Sequence, residues 1–209
     1  GTSKISKTLI PVIKESGHIV YCIASRSEAR VKKISKKYNI SKFYNSYDQM
    51  LRDKNLDIIY VPLPNSEHYK WIIKSLLKNK HIFCEKPICT SIDHIDNVIK
   101  KAKEKNLMVS EALMYRHHPL IKKLLRLIKD KKIGNIRSLK GKFYYKINNK
   151  RDIRFKKELD GGSMWDLGYY VVSLINYLIT KKITKVYGKI LKKYNSVDSK
   201  FYGKIFFDK

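Results

Sequence analysis

Apolar and polar positions along this chain fall into alternating blocks. "HIVYCIAS" (18–25) is an apolar, β-rich run ending in small polar residues. "SEARVKKISKKY" (27–38) follows at helical spacing, with Ser27 placed to cap it. "SYDQMLRD" (46–53) predicts a short helix starting at Ser46, and "DIIYVPLP" (57–64) a buried strand stopped by prolines. "SEHYKWIIKSLLKNK" (66–80) predicts an amphipathic helix with Trp71, Ile72, Ser75, Leu76 and Leu77 on one face. "HIFCEKP" (81–87) is a third strand. "SIDHIDNVIKKAKEKN" (91–106) is a helix capped by Ser91, with acids early and lysines late to suit the helix dipole. "LMVSEAL" (107–113) is a fourth strand. Strand and helix in turn, with short links, predict a parallel sheet covered on both faces, and ligands at the carboxyl ends of its strands. "SRS", "PLPNSEH", "CEKP" and "SEALMYRHHP" all fall at those ends.

Beyond about residue 118 the pattern changes. "PLIKKLLRLIKDKKIG" predicts a helix, "IRSLKGKFYYKIN" (136–148) a long alternating strand, and "GGSMWDLGYYVVSLINYLIT" a Gly-Gly turn into a helix. Two β-like runs, 183–191 and 200–207, follow. The expected organisation is an α/β Rossmann-type dinucleotide-binding domain over 1–117 and a partial α+β domain with a mostly antiparallel sheet over 118–209. A doubly wound domain ordinarily opens with a strand that feeds a glycine-rich turn. This chain opens at Gly1-Thr2-Ser3 and enters a helix, so its first strand is expected to be missing.

Charge changes the picture less than its size suggests. Lys and Arg total 46 against 18 acids, a net charge of +28, which invites a polyanion partner. Lysine dominates, however, and is spread over the whole length, whereas base reading leans on arginine. Richness in Ile, Asn and Tyr alongside Lys reads as the codon bias of an AT-rich genome. No specific nucleic-acid partner is expected, only a preference for anionic ligands and weak sticking to polyanions. No run approaches the roughly 18 apolar residues a membrane span needs, so no membrane partner is expected. The opening segment reads as amphipathic, not as a secretory leader. Cys22, Cys84 and Cys89 form no CxxC pair, and the six histidines show no metal spacing. A reducing, cytoplasmic setting without a metal is expected.

Several residues carry candidate chemistry. A helix start at Gly1 and Thr2 can hold a pyrophosphate through free backbone N–H groups. After "IVYCIA" comes Ser25-Arg26-Ser27, where an NAD-selective fold places an acid against the ribose. Arg26 instead suits a 2′-phosphate, pointing to NADP, with NAD possible; the plain alternative is an exposed arginine. Leu63 and Asn65 are placed to face a cofactor, and His68, one turn into the next helix, is as often structural as functional. At the end of "HIFCEKP", Glu85, Lys86 and Pro87 set an acid, a base and a proline on a buried strand end. Oxidising an alcohol removes hydride from carbon and a proton from oxygen, and an ammonium near that oxygen stabilises the developing alkoxide. If 164–178 is helical, Asp166 and Tyr170 share a face at i, i+4 and can hold two substrate hydroxyls. Tyr170 is also one of 15 tyrosines, for which core packing is the ordinary reading.

The ordered set "IASRS", "PLPNSEH", "KHIFCEKP", "EALMYRHHP" and "GGSMWDLGYY" resembles the Gfo/Idh/MocA family of NAD(P)-dependent sugar and cyclitol oxidoreductases. The last two motifs are most similar to the branch holding dihydrodiol dehydrogenase, NADP-dependent xylose dehydrogenase and glucose–fructose oxidoreductase. The resemblance implies hydride transfer between nicotinamide and the CH–OH group of a sugar, polyol or related diol. It implies that Glu85, Lys86 and Pro87 form a turn over the nicotinamide and that His68 and Arg116 are cofactor-side; the sequence leaves both isomers of the Lys86–Pro87 peptide open, with trans the commoner form. It implies substrate contacts from Lys86, Trp165, Asp166 and Tyr170, catalysis by Lys86, Tyr170 and Asp166, and a homo-oligomer formed through an open sheet face. Asn79 departs from the family pattern, which usually shows Gly there. Two other readings stand beside this one: a noncatalytic relic or sensor on the same fold, and a polyanion-binding protein.

Overall fold

Capping chemistry sets where the first helices begin. In the computed structural model, which describes residues 1–208, Ser3 Oγ accepts the Ser6 amide at 3.2 Å at the start of α1 (Lys4–Glu15). Ser27 does the same for Arg30 at the start of α2 (Glu28–Lys37), and Ser46 for Gln49 at the start of α3 (Tyr47–Leu51). Each serine satisfies a first-turn N–H that has no partner within its helix. α4 (Asn65–Leu77) follows Pro64, and α5 (Ile92–Lys105) follows Ser91, both without a side-chain cap. The cap expected of Ser91 is therefore not made.

Helix ends show a second regularity. Asn39, Asn79 and Asn106 follow α2, α4 and α5 with φ of 49°, 55° and 51°. This left-handed region strains most side chains and suits Gly and Asn. At position 79, where the family pattern has Gly, Asn79 meets the same backbone demand.

The chain forms two compact units, Gly1–Ala112 and Leu113–Lys209. In the first, β1 (Cys22–Ala24) pairs in parallel with β2 (Lys42–Tyr44). β3 (Ile58–Val61), β4 (His81–Cys84) and β5 (Val109–Glu111) form a separate parallel group in that order. The hydropathy pattern misses β2, because "KFY" is exposed at Lys42 and Phe43 and owes its strand form to pairing with β1. Between α4 and its strands the core gathers Ile72, Leu76, Ile59, Val61, Ile82 and Cys84. A second cluster joins Ile10 of α1 to Ile23, Val31, Ile34 and Ile40. Burying each large aliphatic side chain stabilises by about 1.5–3 kcal/mol. Leu77, expected on the buried face of α4, is 52% exposed, one step around the helix from Leu76.

In the second unit α6 (Pro119–Lys129) starts with Pro119 in its first turn, and His118 Nδ1 accepts the Leu120 amide at 3.2 Å. Residues 136–148, expected as a strand, pair with none. Alternation marks two faces but supplies no partner. The segment instead packs on α7 (Tyr169–Leu178): Phe143 lies 5.7 Å from the Tyr170 ring, and Gly141 lies against Val171. β6 (Ile183–Tyr194) and β7 (Val197–Phe207) form an antiparallel hairpin, longer than the runs that predict it. Asn195 and Ser196 join them with φ of 47° and 65°, the positive pair that suits a two-residue hairpin turn. Among the described residues no helix is long and apolar enough to cross a membrane.

One charge cluster ties β2 to the end of α3. Lys42 Nζ lies 2.7 Å from Asp53 Oδ2, Tyr44 OH donates to the same oxygen at 2.5 Å, and the Asn55 amide donates to Oδ1 at 3.0 Å. The Lys42 contact first, then Tyr44 and Asn55, hold the Asp53 carboxyl well below the usual carboxylate range. A carboxyl depressed by folding contributes stability above its unfolded value, about 3.9. That contribution disappears as pH falls toward the folded value. Asp53→Asn is therefore expected to lower the melting temperature at neutral pH and to flatten its fall between about pH 5 and pH 2. Thermal melts across that range check this, and equal acid sensitivity in both proteins would contradict it.

Candidate active site

Lys86 stands where β4 ends. The hydrogen-bond ladder runs one step past the strands: the Glu85 amide donates to Val61 O at 3.1 Å and the Ala112 amide to Cys84 O at 2.8 Å. Beyond that step side chains hold the turn. Tyr60 of β3 donates its hydroxyl to Glu85 Oε1 at 2.5 Å, and its ring lies 5.5 Å from that of Phe83. Burial first, then Glu85, push the Tyr60 phenol well above its ordinary value, so it remains a donor. The Ile88 amide donates to Glu111 Oε1 of β5 at 2.7 Å. His68 of α4 is completely buried. Its Nδ1 lies 2.8 Å from Pro87 O and its Nε2 2.8 Å from Leu63 O. The Lys86–Pro87 peptide is cis, Pro87 is buried, and Glu85 and Lys86 are half-buried.

A second group of residues gathers beyond β1. The Ser25 amide donates to Tyr44 O at 3.1 Å, while Ser25 Oγ accepts the Ser27 amide at 3.2 Å and lies 3.3 Å from Thr2 Oγ1. Gly1 sits against Pro62 and Leu63, where an added Cβ would lie 3.4 Å from Leu63 Cδ2. Arg26 is exposed, beside the Tyr47 phenol. Tyr47 meets Trp71 edge-on with centroids 4.9 Å apart, and Trp71 Nε1 donates to Glu67 Oε2 at 2.9 Å. Asn65 opens α4, half-buried. The structure thus brings Gly1, Thr2, Ser25 and Leu63 together, while His68 lies beneath the surface with both ring nitrogens against carbonyl oxygens.

The second unit anchors its own candidates. Gly162 has φ of 118°, and the Asp198 carboxylate of β7 crosses it so closely that a Cβ would strike Oδ1. Asp198 Oδ2 accepts the Ser163 hydroxyl at 2.5 Å and the Met164 amide at 2.7 Å. This places a carboxylate at the start of a helical run, where it is favoured. The run is not a plain α-helix as expected: Met164–Gly168 is a π turn that leads into α7. The four-residue α-helical spacing assumed for Asp166 and Tyr170 therefore does not apply as it stands, because π hydrogen bonds span five residues. Asp166 Oδ2 accepts Tyr145 OH at 2.6 Å and Arg154 Nε at 2.7 Å. The Tyr170 ring packs 6.2 Å from Tyr115, and Trp165 is half-buried. Arg116 donates to Ser173 Oγ at 3.1 Å and lies over the Tyr177 ring at 5.0 Å.

Sequence reasoning missed Tyr60, Glu111, Arg154, Tyr145 and Asp198. Glu111 had a visible signal, an acid in the polar cluster "SEAL" at a strand end; the others act across long sequence separations. A groove of about 520 Å³ in the first unit runs beside α5, lined by Ile88, Cys89, Ile95, Val98 and Met108, with Lys103 its one charged residue. The three cysteines are free. Burial pushes the thiols of Cys22 and Cys89 up to about 11, and that of Cys84 up as well, away from nucleophilic chemistry. Among the described residues no cluster of His, Cys, Asp or Glu could hold a metal ion.

Parallel strands linked by helices, polar strand ends and an adjoining α+β unit define a dinucleotide-binding protein of the Rossmann class. Residues 1–113 match the oxidoreductase family model with an NAD-binding Rossmann fold, and residues 121–207 match the GFO/IDH/MocA C-terminal domain. The chain belongs to the Gfo/Idh/MocA oxidoreductase family. It is 35% identical over 175 residues to D-xylose 1-dehydrogenase (NADP(+)) 2 of Haloferax volcanii, covering 83% of this chain and 54% of that protein. To trans-1,2-dihydrobenzene-1,2-diol dehydrogenase of Xenopus tropicalis it is 30% identical over 158 residues, covering 76% and 48%. A 3-ketoreductase from Actinomadura kijaniata, solved with NADP and TDP-benzene, superposes with a TM-score of 0.83 at 26% identity, covering 89% and 58%. The chain spans about half the length of the curated relatives it matches.

Gly162→Ala is expected to destabilise the second unit by about 2 kcal/mol or more, because it adds left-handed strain to a clash with Asp198. Denaturant unfolding followed by tryptophan fluorescence measures this; a midpoint equal to the parent's would contradict it.

Proposed function

We propose that this chain serves an NADP-preferring dehydrogenase, which moves hydride between the nicotinamide and the CH–OH carbon of a sugar, polyol or related diol. The observation that carries the reading is the lysine turn at the end of β4, held by side chains from β3, α4 and β5. The names of the xylose and dihydrodiol dehydrogenase relatives and the NADP-bound ketoreductase support it.

The donor set beyond β1 fits NADP. Positions 25–27 hold no acid of the kind that would reject a 2′-phosphate, and the exposed Arg26 guanidinium can pair with one. Gly1, Thr2 and Ser25 supply small side chains and hydroxyls close together. Leu63, Asn65 and Glu85 are the nicotinamide-side candidates, and His68 serves from beneath. When bound, NADP accepts or returns the hydride. Lys86 holds or moves the proton at the substrate oxygen. Tyr170 and Trp165 of the second unit are substrate-side groups, with Asp166 an acceptor already oriented by Arg154 and Tyr145; Arg116 steadies α7. A cytoplasmic site of action suits three free thiols. A homo-oligomer suits the hairpin, where Val186, Tyr187, Ile190, Leu191 and Phe206 are exposed.

NADPH is expected to bind more tightly than NADH in fluorescence titrations. Arg26→Ala should weaken NADPH by about tenfold or more, the worth of a charge-assisted hydrogen bond, and leave NADH little changed. Failure of the parent chain to bind either nucleotide would overturn the reading. In the whole enzyme Lys86→Met should keep NADPH affinity and lose about 100-fold or more in kcat on its sugar or polyol substrate. Rates within a few-fold of the parent would remove Lys86 from the proton step.

A further inference from the structure

The ladder between β3 and β4 ends at the bond from the Glu85 amide to Val61 O, 3.1 Å long. It cannot continue in the ordinary way. The next residues on one side are Pro62, Leu63 and Pro64, and on the other Lys86 and Pro87. Proline has no N–H to give, so Pro62, Pro64 and Pro87 cannot donate there, and only the Leu63 and Lys86 amides remain on the two segments. Their carbonyls still need partners, and a buried carbonyl left without one costs about 1–3 kcal/mol.

His68 stands in that gap. The ring is fully buried in the first turns of α4, five residues after Leu63 and 19 before Pro87. Its two nitrogens, on opposite edges of one rigid plane, each lie 2.8 Å from a carbonyl oxygen, one on each segment. Tyr60 and Glu111 fix the turn to β3 and β5, and the His68 ring lies against both the turn and the Leu63 loop. An imidazole turns one nitrogen toward each of two separated carbonyls; a neutral ring donates to one of them through its single N–H, and a ring with a proton on each nitrogen donates to both. An amide or carboxyl places both polar atoms at one tip, while a ring presents them on separate edges.

We infer that His68 is a positioning residue that couples the Pro62–Pro64 loop to the Glu85–Ile88 turn, so that Leu63 and Lys86 keep one fixed relation. Its bearing on the cofactor rests on the proposed NADP function. There, both segments belong to the nicotinamide end, whereas Ser25 and Arg26 serve the adenosine end. Loss of the bridge should therefore separate the two ends.

The test compares the parent chain with His68→Phe, which fills the space without bridging, and His68→Asn, which keeps a polar tip able to serve one carbonyl. Backbone amide NMR needs no cofactor. In His68→Phe the amides of Leu63, Lys86 and Ile88 should shift together while those of Ser25 and Arg26 stay in place. In titrations, 2′,5′-ADP, which carries only the adenosine end, should bind within about twofold of the parent. NADPH should lose about tenfold or more, together with its nicotinamide fluorescence rise, and His68→Asn should fall between. Response of one segment alone, or equal losses for NADPH and 2′,5′-ADP, would overturn the inference, since a merely structural histidine predicts these. Should the parent bind neither nucleotide, the NADP reading fails by itself, and the amide shifts alone decide the coupling: joint movement upholds it and independent movement sinks it. If His68→Phe does not fold, His68→Asn carries the same comparison.

Discussion

Buried backbone groups must find hydrogen-bond partners, and the first unit is shaped by that demand at the place where its parallel strands stop. Inside the sheet the demand is met by the β3–β4 and β4–β5 ladders. Just past it, Pro62, Pro64 and Pro87 offer no N–H, and side chains from β3, α4 and β5 join the network: Tyr60 donates to the Glu85 carboxylate, His68 faces the Leu63 and Pro87 carbonyls, and Glu111 accepts the Ile88 amide. A strand end of this kind is not a floppy loop. It is a rigid support whose side chains were recruited because the backbone could not finish its own network, and a lysine placed on it has a defined position. The core beneath explains why α4 can supply the ring: Ile72, Leu76 and Ser75 hold that helix against the strands with 0–1% exposure.

The second unit meets a similar demand with different residues. Its helical run starts after two glycines, and the first-turn donors there are taken by Asp198 from the hairpin. Gly162 permits this because its φ of 118° and its missing Cβ let the carboxylate come close. Downstream, Arg154 and Tyr145 share one oxygen of Asp166. Burial, then Asp166, push the Tyr145 phenol up, which keeps its proton in place as a donor. Desolvation works against the Arg154 charge, yet Asp166 more than offsets this and holds the guanidinium firmly protonated. Two donors thus converge on one carboxylate oxygen, an arrangement that fixes the orientation of Asp166.

Much of the fold was legible because periodicity reports burial. The strands at 22–24, 58–61, 81–84 and 109–111 and the helices between them follow from apolar spacing alone. What failed depended on partners that spacing does not encode. "KFY" became a strand through pairing with β1 despite its exposed side chains, while the alternating 136–148 segment found α7 rather than a strand. The candidate site divides in the same way. Glu85, Lys86 and Pro87 stand out locally, as an odd set of residues on a strand end. Tyr60 becomes visible only through the register that pairs it with Phe83, and His68 only when Leu63 and Pro87 are seen on either side of one ring. Composition misleads in one respect and informs in another: the asparagine bias is the same bias that fills the left-handed positions at 39, 79 and 106.

The charge of the chain can be placed on physical grounds. With 46 basic and 18 acidic residues, one-to-one pairing leaves 46 − 18 = 28 cations without an acidic partner. Some cations find other uses: Lys80 is buried and donates to Leu56 O at 2.7 Å, and Lys74 lies 4.8 Å over the Trp71 ring. Most face solvent, where their fields fade over about 8–10 Å at physiological salt. Such a field draws every phosphate-bearing ligand alike, so it acts on encounter more than on choice. Choice between two nucleotides that differ by one phosphate must come from groups within hydrogen-bonding reach of that phosphate. On the proposed reading that group is Arg26, an arginine where an acid would reject the phosphate, and the remaining lysines, however many, do not supply the choice.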